Sequence, residues 1–297
     1  MLFDLDGTLV RAGGAGRRAL DRAVFDLHGV AEVCSTFSLA GRTDLDNFRL
    51  ALKRALRRAP TKAEAAALAK AYLERLPAEV RRAVRDGRYE LVPGIGRLLK
   101  ALARRRGVLV GLGTGNIERG ARLKLEPSGL LPHFSFGGYG CDAYTRVSLL
   151  RRAVRRASAL AGAALLPADV FVIGDTHKDV AAGKAAGYHT GAVLCGFGER
   201  RKIDKAGPEL VAEDFRDPRP WLDWILGAPT RKTRPRPVAR GLDPGGRRCY
   251  TKGAGRSSGG GTLRSNLAPA SAGPKAGSTL GLTPRVFLWN RCCSRRR

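Results

Sequence analysis

The sequence lacks the features that would place the chain in a membrane or tie it together by cysteine chemistry. The 297-residue chain has no run approaching 18 consecutive apolar residues, so no membrane-spanning helix is predicted. Its six cysteines are scattered without C-x-x-C spacing, which gives no recognisable zinc site or disulfide framework. No signal peptide precedes the first motif. These absences predict a soluble, cytoplasmic protein with no membrane partner.

Acidic residues are also scarce. The chain has 26 Asp and Glu against 54 Lys and Arg, a formal net charge of +28. Residues 228–297 hold 16 of the basic residues and a single acid, Asp243. A basic surface attracts polyanions, including nucleic acid. The abundance of Arg, Ala and Gly fits a GC-rich coding sequence equally well.

The segment 228–297 is rich in Pro, Gly, Ser and Arg and poor in apolar residues. It cannot bury enough apolar surface to offset the entropy of ordering, so we predict a disordered basic tail. Two interpretations of this tail stay open, a polyanion-binding arm and non-native read-through sequence. We favour read-through.

What the sequence does have is the opening run M-L-F-D-L-D-G-T-L. In an extended strand, side chains two residues apart share a face, so Asp4 and Asp6 converge on one point. Gly7 lets the chain turn sharply and leaves both acids at the end of the strand. Paired acids suit a hard cation such as Mg²⁺, with one acid free to attack phosphorus. The alternative is a D-x-D-G surface turn without function.

The rest of the chain alternates between strand-like and helical patterns. A helical block covers 13–88, in which we expect a helix over 46–58, a capped helix over 65–76 and a further helix beginning at Pro77. Strand-like and helical runs then alternate, with strands at 108–112, 170–173, 190–194 and 210–211, and helices at 95–106, 117–126, 146–161 and 179–186.

This alternation predicts an α/β fold, a parallel sheet flanked by helices, with the helical block inserted as a separate lid. We therefore predict an α/β core over 1–12 and 89–227, an α-helical cap over 13–88 and the basic tail over 228–297.

Three further groups of residues lie where ligands of such sheets gather, at the ends of strands. The run G-L-G-T-G-N offers the Thr114 hydroxyl and the amides of Gly115 and Asn116 to phosphate oxygens. In V-F-V-I-G-D-T-H-K-D, Asp175 follows a buried strand and Asp179 lies one helical turn later. These two acids complete a metal site, unless Asp179 only caps its helix.

A cation is also needed at such a site. Lys124 and Arg146 are the candidates, and either is equally compatible with an ordinary solvated charge.

In this order, the motifs resemble the haloacid dehalogenase superfamily and, within it, phosphatases like phosphoglycolate phosphatase. The resemblance covers roughly residues 1–226 and implies a Rossmannoid core, a helical cap, Mg²⁺ and an aspartyl-phosphate intermediate. By position it implies the following roles: Asp4 as nucleophile, Asp6 as general acid/base that binds metal through its backbone carbonyl, Thr114 as phosphate-binding hydroxyl, and Asp175 with Asp179 as metal acids.

The sequence departs from this pattern in two places. The family usually has a Lys between the Thr motif and the final acids, where D-A-Y-T-R-V-S-L-L offers Arg146 instead. We favour Arg146 over Lys124 as the cation that neutralises the phosphoryl group. Only Leu2 and Phe3 precede Asp4 in the predicted first strand, whereas strands average about five or six residues. We therefore expect the N-terminus to be clipped or its start misassigned.

Taken together, the sequence predicts a Mg²⁺-dependent phosphatase for a small phosphorylated metabolite, with 2-phosphoglycolate as the nearest analogue. The loop G-R-T-D at 41–44 is the candidate for contact with substrate, through Arg42, or else a plain helix-entry turn. Alternatives are a phosphomutase or phosphonate hydrolase on the same fold, and a non-catalytic polyanion-binding protein. The sequence does not predict the oligomeric state.

Overall fold

The computed structural model describes residues 1–143 and 145–227, and the predicted tail lies outside them. Within the described part the strands are Leu2–Phe3 (β1), Val10–Ala12 (β2), Tyr89–Leu91 (β3), Gly111–Gly113 (β4), Phe136–Gly138 (β5), Phe171–Gly174 (β6), His189–Val193 (β7) and Leu210–Ala212 (β8). The α-helices are Ala15–His28 (α1), Asp44–Leu56 (α2), Lys62–Arg85 (α3), Ile95–Ala103 (α4), Glu118–Leu125 (α5), Arg146–Ala161 (α6), His177–Ala185 (α7), Arg200–Ala206 (α8) and Arg219–Gly227 (α9).

Six of the strands form one parallel sheet in the order β5-β4-β1-β6-β7-β8. The first strand is central although it has only two residues. Leu2 packs on one face of the sheet with Leu149 and Leu150, and Phe3 packs on the other with Leu98 and Trp221. Both faces of β1 are therefore buried, as expected for a parallel sheet that helices cover on each side. The α/β fold predicted from the sequence is confirmed.

The helical block is joined to the main sheet through a small two-stranded antiparallel sheet of β2 and β3. Helices α1, α2 and α3 lie between those two strands and share a core of their own, which includes Leu20, Phe48, Tyr72 and Leu76. We propose that residues 13–88, which include these helices, act as a cap over the sheet.

Two helices differ from the sequence-based predictions. No fourth helix begins at Pro77, because α3 runs through it to Arg85 and buries Leu76 and Val80 on either side. Proline removes one helical hydrogen bond, but the apolar face on both sides keeps the helix in place. Helix α2 begins at Asp44 rather than residue 46, since the Thr43 hydroxyl accepts from the backbone N–H of Asp46 and caps it.

The sequence analysis also missed strand β5 and the two-stranded sheet of β2 and β3. Strand β5 has the sequence F-G-G, and glycine carries no strand signal. Strands β2 and β3 have three residues each, and the 76 residues of the helical block lie between them in sequence. Among the described residues, no helix has both the length and the apolar character needed to cross a membrane.

Candidate active site

The predicted site residues meet at the carboxyl edge of the parallel sheet. Asp4 follows β1, Thr114 follows β4 and Asp175 follows β6, which are three adjacent strands. Backbone hydrogen bonds continue the sheet to this edge, from Asp4 N to the Ile173 oxygen at 2.9 Å and from Thr114 N to the Gly138 oxygen at 3.0 Å. Starting from β1, the sheet extends through β4 and β5 on one side and through β6, β7 and β8 on the other. The switch point therefore lies between β1 and β6, and ligands of doubly wound sheets bind at such a point.

Three buried acids form a cluster there. Oxygen atoms of Asp4, Asp175 and Asp179 lie within 4.8 Å of one another, and the residues are 7%, 1% and 2% exposed. Burial raises the pKa of Asp4 to about 6, against the attraction of Arg146. Burial, followed by repulsion from Asp179 and Asp4, raises the pKa of Asp175 well above its ordinary value. Burial and repulsion within the cluster therefore exceed what its one neighbouring cation, Arg146, offsets.

This cluster fits a divalent cation such as Mg²⁺. Its donors are hard carboxylate oxygens, which Mg²⁺ prefers. Asp175 Oδ2 accepts a hydrogen bond of 2.6 Å from the backbone N–H of Phe197, whereas the buried Oδ1 has no hydrogen-bond partner among the described residues. A buried acceptor without a partner is costly, and a bound cation would satisfy it.

The Asp179 carboxylate also has a local role. Its Oδ2 accepts from the backbone N–H and the hydroxyl of Thr176, so it caps α7 as the sequence suggested. Its Oδ1 accepts from Arg146 Nε at 2.6 Å. A helix cap and a place in the acid cluster are therefore compatible roles for Asp179. Its Oδ2 caps α7, and its Oδ1 faces Arg146 beside the cluster.

Arg146 lies beside the acid cluster. One of its terminal nitrogens is 2.9 Å from Asp4 Oδ2 and also pairs with Asp179. It is the first residue of α6, whose N-terminus is capped by the Thr145 hydroxyl, so the side chain starts close to the sheet edge. Burial alone would lower the pKa of Arg146, but Asp179 and Asp4 raise it, so the group stays charged.

Lys124 reaches the same site from another side. Its Nζ donates to Asp6 Oδ2 and to Asn116 Oδ1, both at 2.7 Å. Asn116 in turn donates from Nδ2 to Asp6 Oδ2 and to the Thr114 hydroxyl, both at 2.9 Å. Burial opposes the charge on Lys124, but the combined effect of Asp6, Tyr72 and Asp44 outweighs it and raises the lysine's pKa. Each of the two candidate cations therefore contacts a different acid of the D-x-D pair.

The Asp6 carboxylate is not part of the acid cluster found among the described residues. Lys124 and Asn116 both donate hydrogen bonds to its Oδ2. We therefore still expect Asp6 to contact a metal through its backbone carbonyl and not through its side chain.

The helical block closes over this edge through the G-R-T-D loop. The backbone N–H of Asp44 donates to the Gly115 oxygen at 2.7 Å, and the Asp44 carboxylate accepts from the N–H of Ile117 at 2.9 Å. A Cβ on Gly115 would lie 2.3 Å from the Arg42 oxygen, so this loop rests directly on the turn that contains Thr114, Gly115 and Asn116. A residue with a side chain at 115 would push the loop away.

A cavity of about 360 Å³ lies between the helical block and the sheet edge. Most of the predicted site residues line it: Asp4, Asp6, Arg42, Gly115, Asn116, Lys124, Arg146 and Asp175. The side chains of Thr114 and Asp179 lie behind this lining and hold its residues in place.

Several residues of the site were missed by the sequence analysis. Phe197, between two glycines after β7, lines the cavity and its N–H holds Asp175. Asn47 and Tyr72 line the cavity from the helical block, together with Asp44, the last residue of the predicted G-R-T-D loop. The G-F-G run was a usable signal for a close backbone approach, whereas Asn47 and Tyr72 look like ordinary positions on amphipathic helices.

Comparisons with known proteins agree with this geometry. The family model for haloacid dehalogenase-like hydrolases matches residues 1–187. Phosphoglycolate phosphatase 1 of Pseudomonas aeruginosa is 32% identical over 134 residues, which are 45% of this chain and 48% of that protein. The phosphoglycolate phosphatase of Synechococcus elongatus is 32% identical over 124 residues, which are 42% of this chain and 55% of that protein. The matches thus span about half the length of these curated relatives.

The fold is also found among solved structures. A crystal structure described as a predicted phosphatase from Clostridium acetobutylicum superimposes with a TM-score of 0.57 at 18% identity, covering 76% of this chain and 97% of that one. At this identity the likeness concerns the fold alone. The match of the family model over more than half of the sequence is the stronger finding, and by it the chain belongs to the haloacid dehalogenase-like hydrolases.

Proposed function

We propose that this chain is a Mg²⁺-dependent phosphatase that hydrolyses a small phosphomonoester through an aspartyl-phosphate on Asp4. The observation that carries the proposal is the division of the D-x-D pair. The Asp4 carboxylate lies in the acid cluster beside Arg146, and the Asp6 carboxylate is held apart from it by Lys124 and Asn116. One acid can then attack phosphorus while the other handles protons. The names of the curated relatives support the same substrate class.

In the first step, an Asp4 oxygen attacks phosphorus and the bond to the leaving alkoxide breaks. Asp6 gives its proton to that alkoxide. Both hydrogen bonds to Asp6 go to Oδ2, which leaves Oδ1 as the oxygen for proton transfer. In the second step, Asp6 takes a proton from water, and the water attacks the acyl phosphate and releases inorganic phosphate.

Positive charge stabilises the phosphoryl group in transit. Arg146 supplies a fixed guanidinium next to Asp4, and Gly115 and Asn116, which follow Thr114, line the same cavity. Asp4, Asp175 and Asp179, with the Asp6 carbonyl, would hold Mg²⁺. When bound, Mg²⁺ neutralises charge on the phosphoryl oxygens.

The test is release of inorganic phosphate from p-nitrophenyl phosphate, 2-phosphoglycolate and other small esters, with Mg²⁺ and with EDTA. We expect turnover that EDTA abolishes and added Mg²⁺ restores. Asp4→Asn should reduce turnover to background, because an amide does not attack phosphorus. Asp204→Asn is the matched control, since Asp204 is an exposed residue of α8 and its variant should behave as wild type. Undiminished turnover by folded Asp4→Asn protein would refute the mechanism, and phosphoryl transfer without phosphate release would indicate a mutase.

A further inference from the structure

One polar side chain in the cavity wall is left without a partner by the protein itself. Asn47, on α2, is only 6% exposed and lines the cavity. Its buried Oδ1 has no hydrogen-bond partner among the described residues. Buried polar groups in folded proteins are nearly always hydrogen-bonded, so an orphaned one in a ligand cavity indicates a partner that arrives with the ligand.

The neighbouring polar groups of α2 are already used within the protein. The Thr43 hydroxyl caps the helix, and the Asp44 carboxylate accepts from the Ile117 N–H. Asn47 differs because its side-chain oxygen has no such partner among the described residues. The cavity lining includes the apolar side chains of Leu20 and Phe48, and none of its polar side chains hydrogen-bonds this oxygen.

The cavity has two chemically different ends. The sheet edge, with Asp4 and Arg146, takes the phosphoryl group in the proposed reaction. The helical block therefore surrounds the leaving group, and Asn47 lies in that part of the wall. A volume of about 360 Å³ is at the small end for ligand cavities, which suits a phosphoryl group with a short carbon chain.

We propose that Asn47 is a specificity-determining residue and that the substrates are phosphate esters of small hydroxylated alcohols, whose free hydroxyl donates to Asn47 Oδ1. This inference rests on the proposed phosphatase function. A hydroxyl also satisfies the amide if its oxygen and nitrogen are exchanged, since it both donates and accepts. A leaving group without a hydroxyl leaves the amide unpaired, and sites of this kind discriminate strongly against such analogues.

The experiment compares two esters that differ by one hydroxyl, 3-phosphoglycerate and 3-(phosphonooxy)propionate, the phosphate ester of 3-hydroxypropionate. In wild type, kcat/KM should be at least about tenfold higher for the hydroxylated ester. Asn47→Leu should bring the ratio close to one by lowering kcat/KM for 3-phosphoglycerate alone. Asn47→Asp keeps an acceptor oxygen in place, so the ratio should persist even if both rates fall. Arg49→Leu, an exposed position on the same helix, is the matched control and should keep the wild-type ratio.

Turnover of p-nitrophenyl phosphate, which has no aliphatic hydroxyl, shows that each variant is folded. Suppose that this turnover is normal and depends on Asp4. The inference is then overturned, and the phosphatase function stands, if wild type does not prefer the hydroxylated ester. The same follows if Asn47→Leu has the same preference as wild type. If no phosphate ester is hydrolysed, the proposed function is refuted and the inference falls with it.

Discussion

At the scale of single residues, Gly7 shows how closely the site is assembled. Its φ is +83°, in the left-handed region, and a Cβ there would lie 2.2 Å from Asp175 Oδ2. Any side chain at this position would both strain the backbone and displace a proposed metal ligand.

We therefore expect Gly7→Ala to lower kcat by at least about a hundredfold, as for the loss of one strong electrostatic contact. The matched control is Gly96→Ala, at a helical position with open space around its Cβ. That variant should keep its activity. Steady-state kinetics and thermal melts of both proteins provide the check, and a Gly7→Ala enzyme within twofold of wild type would contradict the close contact.

The two cations also make distinguishable predictions, because Arg146 contacts Asp4 and Lys124 contacts Asp6. p-Nitrophenolate leaves without a proton donor, so on that substrate the first step does not need Asp6. Lys124→Met should therefore give a burst of about one equivalent of p-nitrophenolate followed by slow turnover, because only the water step suffers.

Arg146→Ala should instead slow the first step, with kcat at least about a hundredfold lower and no burst. Arg146→Lys should recover part of the loss, since an ammonium supplies charge without the bidentate fork. Stopped-flow absorbance separates these cases. A burst in Arg146→Ala and none in Lys124→Met would exchange the two assignments.

The positions of the four acids could be predicted from the sequence because each follows a strand or opens a helix in a recognisable motif. The choice between Lys124 and Arg146 could not. Lys124 is in the last turn of α5, and which way that turn faces depends on how α5 packs against Tyr72 and Gly16 of the helical block. Such packing between segments distant in sequence leaves no local signal.

At the scale of elements, the N-terminal end of α2 is tied to the N-terminal end of α5. The Asp44 carboxylate accepts from the Ile117 N–H, and burial raises its pKa to about 6, against the attraction of Lys124. In the unfolded chain an aspartate has a pKa of about 3.9. The folded protein thus binds the proton more tightly, and stability falls as the pH rises from about 4 through 6.

Asp44→Asn should remove this dependence, because the amide oxygen still accepts from Ile117 without a charge. We expect it to stabilise the protein at pH 7.5 by about 1–3 kcal/mol, with the gain disappearing near pH 4. Asp46→Asn, two residues further along the same helix, controls for the change in charge. Thermal melts from pH 4 to 8 give the measurement, and an equal effect of the two variants at every pH would refute the assignment to Asp44.

Helix α3 shows a limit of local patterns. The capping box predicted from Thr61 and Glu64 is present. Proline at position 77 gave an equally clear local signal for a new helix, but the contact of Tyr72, Leu76 and Val80 with the rest of the helical block favours one continuous helix. A local signal therefore marks a possible start of a helix, and tertiary packing decides whether a preceding helix continues through it.

At the scale of the whole molecule, α9 is the last described helix, and it contributes to the core around β1. Trp221 on this helix is fully buried among Phe3, Phe215 and Leu98, and its indole N–H donates to the Asp214 oxygen at 3.2 Å. Helix α9 ends at Gly227, immediately before the stretch with 16 basic residues and one acid. Two truncations therefore test different things.

A chain that ends after Gly227 should keep the kcat and melting temperature of the full chain, because the described core is intact. Its affinity for nucleic acid, if the full chain has any, should weaken and lose much of its salt dependence, since the removed segment carries a charge of +15.

A chain that ends after Pro218 should be destabilised by at least about 3–5 kcal/mol, the usual cost of emptying a buried tryptophan site. Trp221→Ala in the full chain should show a similar loss and so separates the tryptophan from chain length. Loss of activity in a folded chain that ends at Gly227 would place the domain boundary later in the sequence.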